Sequence, residues 1–176
     1  MPSPLAHAGV TLLLRTWDSP SVLRGIGPDR QRCFWVAVLV AVWWPDIDIL
    51  LKFISSSGAV DHGGFLHSGI VALFFGLLFA TVLRDVLLIR MRYLSLFALG
   101  AGGTFSHLLL DMLTRGRGIM FLWPLSEIRV VSPIPLFYGV RHSQPWAFHL
   151  HLVTLVTELL FVGGLVLLAR KLRPER

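Results

Sequence analysis

Seven residues carry most of the chemistry open to this chain: His7, Asp46, Asp48, His62, His67, His107 and Asp111. His107 and Asp111 lie in "GTFSHLLLDMLT", at the end of a long apolar run and four positions apart. On a helix that spacing stacks an imidazole and a carboxylate on one face. Asp46 and Asp48 follow another apolar run in "WWPDIDIL", and His62 and His67 open and close "HGGFLH". Imidazole nitrogens and carboxylate oxygens together suit zinc and, less selectively, manganese. Two neighbouring ions in such a set would clamp the attacking and leaving oxygens of a phosphoester and lower the pKa of a bound water. The sequence contains no Walker loop, nucleophile elbow or Cys-based zinc pattern. The single cysteine, Cys33, cannot form an intrachain disulfide and reads as a small apolar packing residue.

The elements that must position these residues are membrane helices. The chain is 55% hydrophobic and 15% charged, whereas a soluble domain carries about 25% charge. Its 176 residues fit one domain. Three runs span outright: Phe65–Leu83, Tyr93–Leu113 and Phe148–Ala169. A fourth, Cys33–Trp44, reaches spanning length when extended over Gln31–Ile49, which puts Asp46 and Asp48 at its exit. Pro4–Trp17 suits a short tilted span, a re-entrant piece or an interfacial helix. The expected fold is therefore all-α: one transmembrane bundle over residues 1–176, with four firm helices and a candidate fifth at the N-terminus.

The net charge of +6 does not point to nucleic acid, because the basic residues cluster between apolar runs. One side collects eleven: Arg15, Arg24, Arg30 and Arg32, then Arg84, Arg90 and Arg92, then Arg170, Lys171, Arg173 and Arg176. The other side has four, Arg115, Arg117, Arg129 and Arg141. The positive-inside rule assigns the eleven to the cytoplasm. Residues 114–147, rich in proline and aromatic residues, then form an outer loop expected to cap the site.

On this topology Asp46, Asp48, Asp61, His62, His67, His107 and Asp111 all arrive at the outer face, and so does His7 if its segment crosses. Each has an ordinary explanation alone. His107 with Asp111 could be a packing hydrogen bond, "WWPDIDIL" a proline-led cap, and "DHGGFLHS" a glycine turn. Asp46 and Asp48, two positions apart, would leave a helix on different faces, so one of them alone would reach a given ion. His142, His149 and His151 read as interfacial residues. Glu158, in mid-span, reads as protonated or hydrogen-bonded inside the bundle. None of these explanations accounts for convergence on one face.

Five motifs in order, "SPLAHAG", "PDID", "HGGFLHS", "SHLLLDMLT" and "LWPLS", give the chain a resemblance to the YdjM-like inner-membrane proteins, described as membrane-bound metal-dependent hydrolases. That family is similar, more distantly, to zinc-dependent phospholipase C and nuclease P1-type enzymes, which use an H-x3-D helical pair. The resemblance implies His107 and Asp111 as ligands, joined by His62, His67, an aspartate of the 46/48 pair, and His7. Family members often carry Arg after the first His of H-x4-H and Thr before the second. Here Gly63 and Leu66 stand there, which keeps the ligand spacing but leaves any phosphate contact from that Arg without its residue.

The reading is a prokaryotic inner-membrane hydrolase with an outward-facing metal site, zinc first and manganese second. It would cleave a phosphoester of a lipid or envelope molecule with metal-activated water, Asp46 or Asp48 bridging metals or acting as base. Its partners would be membrane lipids and a small-molecule or lipid substrate, not nucleic acid. The rival readings are a transporter of metal ions or protons, with Glu158 on the pathway, and a non-enzymatic adaptor with a structural His/Asp cluster.

Overall fold

Lipid offers the backbone no hydrogen bonds, so runs that cross it must satisfy their own N–H and C=O groups as helices. The computed structural model describes residues 4–17, 23, 26–54, 62–139, 146 and 148–171. Arg24, Asp61, Arg141, His142, Arg173 and Arg176 lie outside the described residues. Among the described residues six α-helices follow in order: α1 (Pro4–Trp17), α2 (Pro28–Trp43), α3 (Ile47–Ile54), α4 (Gly69–Thr81), α5 (Tyr93–Met112) and α6 (Phe148–Lys171). A 3-10 turn, Trp44–Asp46, joins α2 to α3, so that Pro28–Lys52 is one broken apolar rod. That rod, α4 with its π-helical extension Val82–Val86, α5, and α6 are long and apolar enough to cross a membrane. The apolar part of α1 is shorter. At 1.5 Å per residue α1 rises about 21 Å, against about 30 Å of hydrocarbon.

Helix α5 is the hub. It packs on α4, α2 and α1, while α6 lies against α1. Small residues set the α4/α5 spacing. A Cβ added at Gly76 would lie 2.7 Å from the Ala101 Cβ, and one at Gly100 would lie 2.6 Å from the Phe79 Cβ. Such close approach is how membrane helices gain packing without a hydrophobic drive between them. Below it, Phe34, Val38, Phe79, Leu83 and Leu96 fill the core at the end away from Asp111. Gly100→Ala is expected to destabilise the bundle by roughly 1–3 kcal/mol through overpacking against a Cβ that cannot swing away. Gly102→Ala, whose added Cβ meets nothing within 4 Å, is the control. Thermal unfolding in detergent should show a lower midpoint for the first and not for the second.

Two boundaries differ from the sequence reading. The span expected from Phe65 begins as a helix at Gly69: Phe65–His67 form a separate 3-10 turn, and Ser68 is extended. The Ser68 hydroxyl then accepts the Val71 N–H at 3.4 Å and caps α4. Cys33 is exposed rather than packed, in the wall of an open groove between α2 and α4.

The segment after α5 folds back over the helix ends. Arg115 donates its N–H to the Phe137 carbonyl, Met120 to Gly63, and Gly69 to Phe121, each at 2.9 Å. Gly118, at φ +73°, has the Val130 carbonyl 2.5 Å from where a Cβ would sit, so only glycine fits this crossing.

Candidate metal centre

Three breaks in helical regularity build the site. At the first, Pro45 follows the end of α2 and the 3-10 turn tightens the chain before α3 restarts. Trp44 fixes this turn against α5: its indole N–H donates to the Thr104 hydroxyl at 2.8 Å, and the ring stacks on Phe75 at 4.5 Å. Thr104 in turn donates within hydrogen-bond distance of the Ala41 and Gly100 carbonyls. The second break is the turn before α4, which holds the His67 ring at 0% exposure. The third is the end of α5, where His107 and Asp111 share a face and are both buried.

Four donor atoms meet there: Asp46 Oδ1, His67 Nε2, His107 Nε2 and Asp111 Oδ2. His67 Nε2 lies 3.3 Å from His107 Nε2, 3.1 Å from Asp111 Oδ2 and 3.8 Å from Asp46 Oδ1. His107 Nε2 lies 3.5 Å from Asp111 Oδ2 and 3.4 Å from Asp46 Oδ1. A tetrahedral zinc site with bonds of about 2.0–2.1 Å places neighbouring donors about 3.3–3.4 Å apart. The five separations fall around that value. Asp46 Oδ1 and both Asp111 oxygens are buried without a hydrogen-bond partner. Carboxylates so placed in an apolar bundle are costly unless a cation sits between them. The donor set therefore fits a divalent ion.

His7 stands beside this set. Its ring stacks on His107 at 3.9 Å, and its Nε2 lies 3.7 Å from Asp111 Oδ1. The short helix α1 thus brings a third buried imidazole to the cluster.

Asp48 and His62 form an adjoining group that shares His67. Asp48 Oδ1 lies 2.8 Å from His62 Nδ1, and Oδ2 accepts the Gly63 N–H at 3.1 Å. His67 Nδ1 is 3.1 Å from that same Oδ2. Asp46 and Asp48 therefore face opposite nitrogens of one imidazole. An uninterrupted helix through residues 46–48 would splay them apart; the break between the 3-10 turn and α3 lets both reach His67. His67 lies on the turn outside the spans. Burial opposes its charged form, yet the Asp111, Asp46 and Asp48 carboxylates outweigh burial and raise its pKa well above the usual imidazole value. The field at the cluster favours a cation.

Arg129 is a residue the sequence reading counted only for topology. Its Nη1 donates to the carbonyls of His62, Gly63 and Gly118 at 3.2, 3.4 and 2.9 Å. It ties the loop after α5 to the turn that carries His62, and no local spacing signals this long-range contact. Of the histidines left open, His149 is exposed and His151 half-buried, and neither belongs to the two donor groups found among the described residues. Glu158 and Thr154 are buried on α6, and Thr154 donates to the Leu150 and Gly139 carbonyls.

Fold and site together define a helical membrane protein with a buried His/Asp cluster that could hold a metal ion. The sequence profile of the YdjM inner membrane protein family matches residues 5–173, and the chain belongs to that family. It is 28% identical to the protein named inner membrane protein YbcI of Escherichia coli K12 over 170 residues, 92% of this chain and 91% of that protein. No solved structure matches it. The chain is thus an integral inner-membrane protein with four candidate spans.

Proposed function

We propose that the chain is a membrane-embedded, metal-dependent hydrolase acting on a phosphoester of a lipid or envelope molecule. The observation that carries this reading is the convergence of Asp46, His67, His107 and Asp111 at tetrahedral spacing, with Asp46 Oδ1 and both Asp111 oxygens buried without a hydrogen-bond partner. Two imidazoles and two carboxylates suit zinc best and manganese next. An ion held there would supply Lewis acidity and lower the pKa of water. The cluster meets the surface at Asp46 and His62, whose side chains are 20% and 21% exposed. Asp46 is then the carboxylate placed to take a proton from water, and His62, oriented by Asp48, can deliver one to a leaving oxygen. Position at the ends of the spans suits a substrate held at headgroup level.

The test is hydrolysis of bis(p-nitrophenyl) phosphate and of phospholipid headgroups by the purified chain in detergent. Chelation should abolish it and zinc restore it. Asp46→Asn should lower turnover by about 100-fold or more, because it removes the base and one of the four metal donors together. A zinc-loaded wild type that cleaves no phosphoester would overturn the hydrolase reading.

One observation favours a second reading. His7, His67 and His107 are at 0% exposure and Asp111 at 5%, and closed four-donor sites are the structural kind. A structural ion predicts bound zinc without turnover, and a lower unfolding midpoint in His107→Ala.

A further inference from the structure

The end of the bundle opposite the His/Asp cluster carries a second recess. The start of α2 and the turn after α4 border an open cleft of about 840 Å³ lined by Arg30, Arg84, Arg90 and Arg92, with Asp85 the one acid among the described residues of its wall. None of the four guanidinium groups has a carboxylate partner among the described residues. The turn that presents them is specifically shaped. Val82–Val86 is π-helical, and Leu88 sits at φ +53°, a backbone conformation that side-chain-bearing residues rarely adopt. The fold keeps it because Ile89 is buried and donates its N–H to the Leu83 carbonyl at 2.9 Å. Solvated topology-setting arginines need no such turn.

An apolar groove of about 500 Å³ adjoins this cleft between α2 and α4. Val36, Val40, Phe75 and Leu78 line it, and Arg32 stands at its mouth. Leu83 and Leu87 face the groove, while their chain neighbours Arg84 and Leu88 face the cleft. A basic recess at the headgroup level that runs into an apolar slot has the polarity of a phospholipid. Guanidinium groups bind phosphate oxygens in bidentate fashion, and basic recesses between membrane helices on the cytoplasmic side hold anionic headgroups. The basic bias assigns this end to the cytoplasm.

We infer that the cleft binds the phosphate headgroup of an anionic phospholipid from the cytoplasmic leaflet, with an acyl chain in the α2/α4 groove. The site is independent of the His/Asp cluster and of what that cluster does.

Native mass spectrometry of the full chain released from nanodiscs tests it. In discs of equal phosphatidylglycerol and phosphatidylcholine, wild type should retain phosphatidylglycerol in preference. Arg84→Gln with Arg90→Gln should weaken that retention by about tenfold or more, on the scale of two arginines near an anionic lipid. Arg170→Gln with Lys171→Gln removes two charges at the same membrane end outside the cleft and should leave retention unchanged. Equal retention of both lipids by wild type would overturn the proposal without recourse to any variant. So would an equal loss in the tail variant, which would mean diffuse charge attraction. Full displacement of the lipid by glycerol phosphate would also overturn it, by showing an anion site to which the groove adds nothing.

Discussion

Zinc in the purified chain should fall from about one ion per molecule to nearly none on His107→Ala, the loss expected when one of four ligands is removed. His107 is the centre of the donor set. Its Nε2 has His67, Asp46 and Asp111 as neighbours within 3.5 Å, and its ring is stacked on His7. Without it the two carboxylates have lost one of the imidazoles between them, in a site where Asp46 Oδ1 and both Asp111 oxygens are buried. Removing one partner from a buried charged set costs about 3–5 kcal/mol, so the unfolding midpoint should drop as well. His149→Ala changes an exposed imidazole at the same end of the bundle and should alter neither metal content nor midpoint. Elemental analysis of the two variants beside wild type measures this directly. Equal metal in wild type and His107→Ala would remove the basis for any metal-dependent function here.

Much of the architecture was legible because the bilayer imposes a length on apolar runs. Tyr93–Leu113 and Phe148–Ala169 were readable to within a few residues of α5 and α6, and the polar residues sat where those runs ended. Arrival of Asp46, His67, His107 and Asp111 at one end of the bundle follows from topology alone. Their mutual geometry does not. Pro45 marks the break at Trp44–Asp46, but its placement against α5 rests on Trp44 reaching Thr104, sixty positions away, and a hydrophobic pattern carries no record of such a bond. The same holds for Arg129, whose partners lie on a turn 66 and 67 positions earlier. The start of α4 moved because Gly63, Gly64 and the Ser68 cap outweigh the apolarity of Phe65 and Leu66. Apolarity reports what lipid tolerates, not where a helix is capped.

Asp48→Asn is expected to weaken zinc binding by about 10–100-fold while leaving the number of ions at saturation unchanged, as loss of a carboxylate that orients a ligating imidazole does. Asp48 Oδ2 already accepts the Gly63 N–H, and Oδ1 pairs with His62. Unlike Asp46 Oδ1 and the Asp111 oxygens, neither Asp48 oxygen is left without a partner. The carboxylate lies on the Nδ1 side of His67. It favours the tautomer that carries its proton there and leaves the Nε2 lone pair for the donor set. An asparagine of the same shape keeps the Gly63 bond but loses the charge that holds this tautomer. Affinity then falls without loss of a ligand, which makes Asp48 a positioning residue. If Asp48, His62 and His67 instead hold a second ion, Asp48→Asn should take saturating metal content from about two per chain to about one, since a site with too few ligands empties. Competition against zinc chelators of graded strength reads the affinity, and elemental analysis at saturation reads the stoichiometry. A shift in the first with no change in the second leaves one ion bound by Asp46, His67, His107 and Asp111. A halving of the second makes His67 a ligand shared between two.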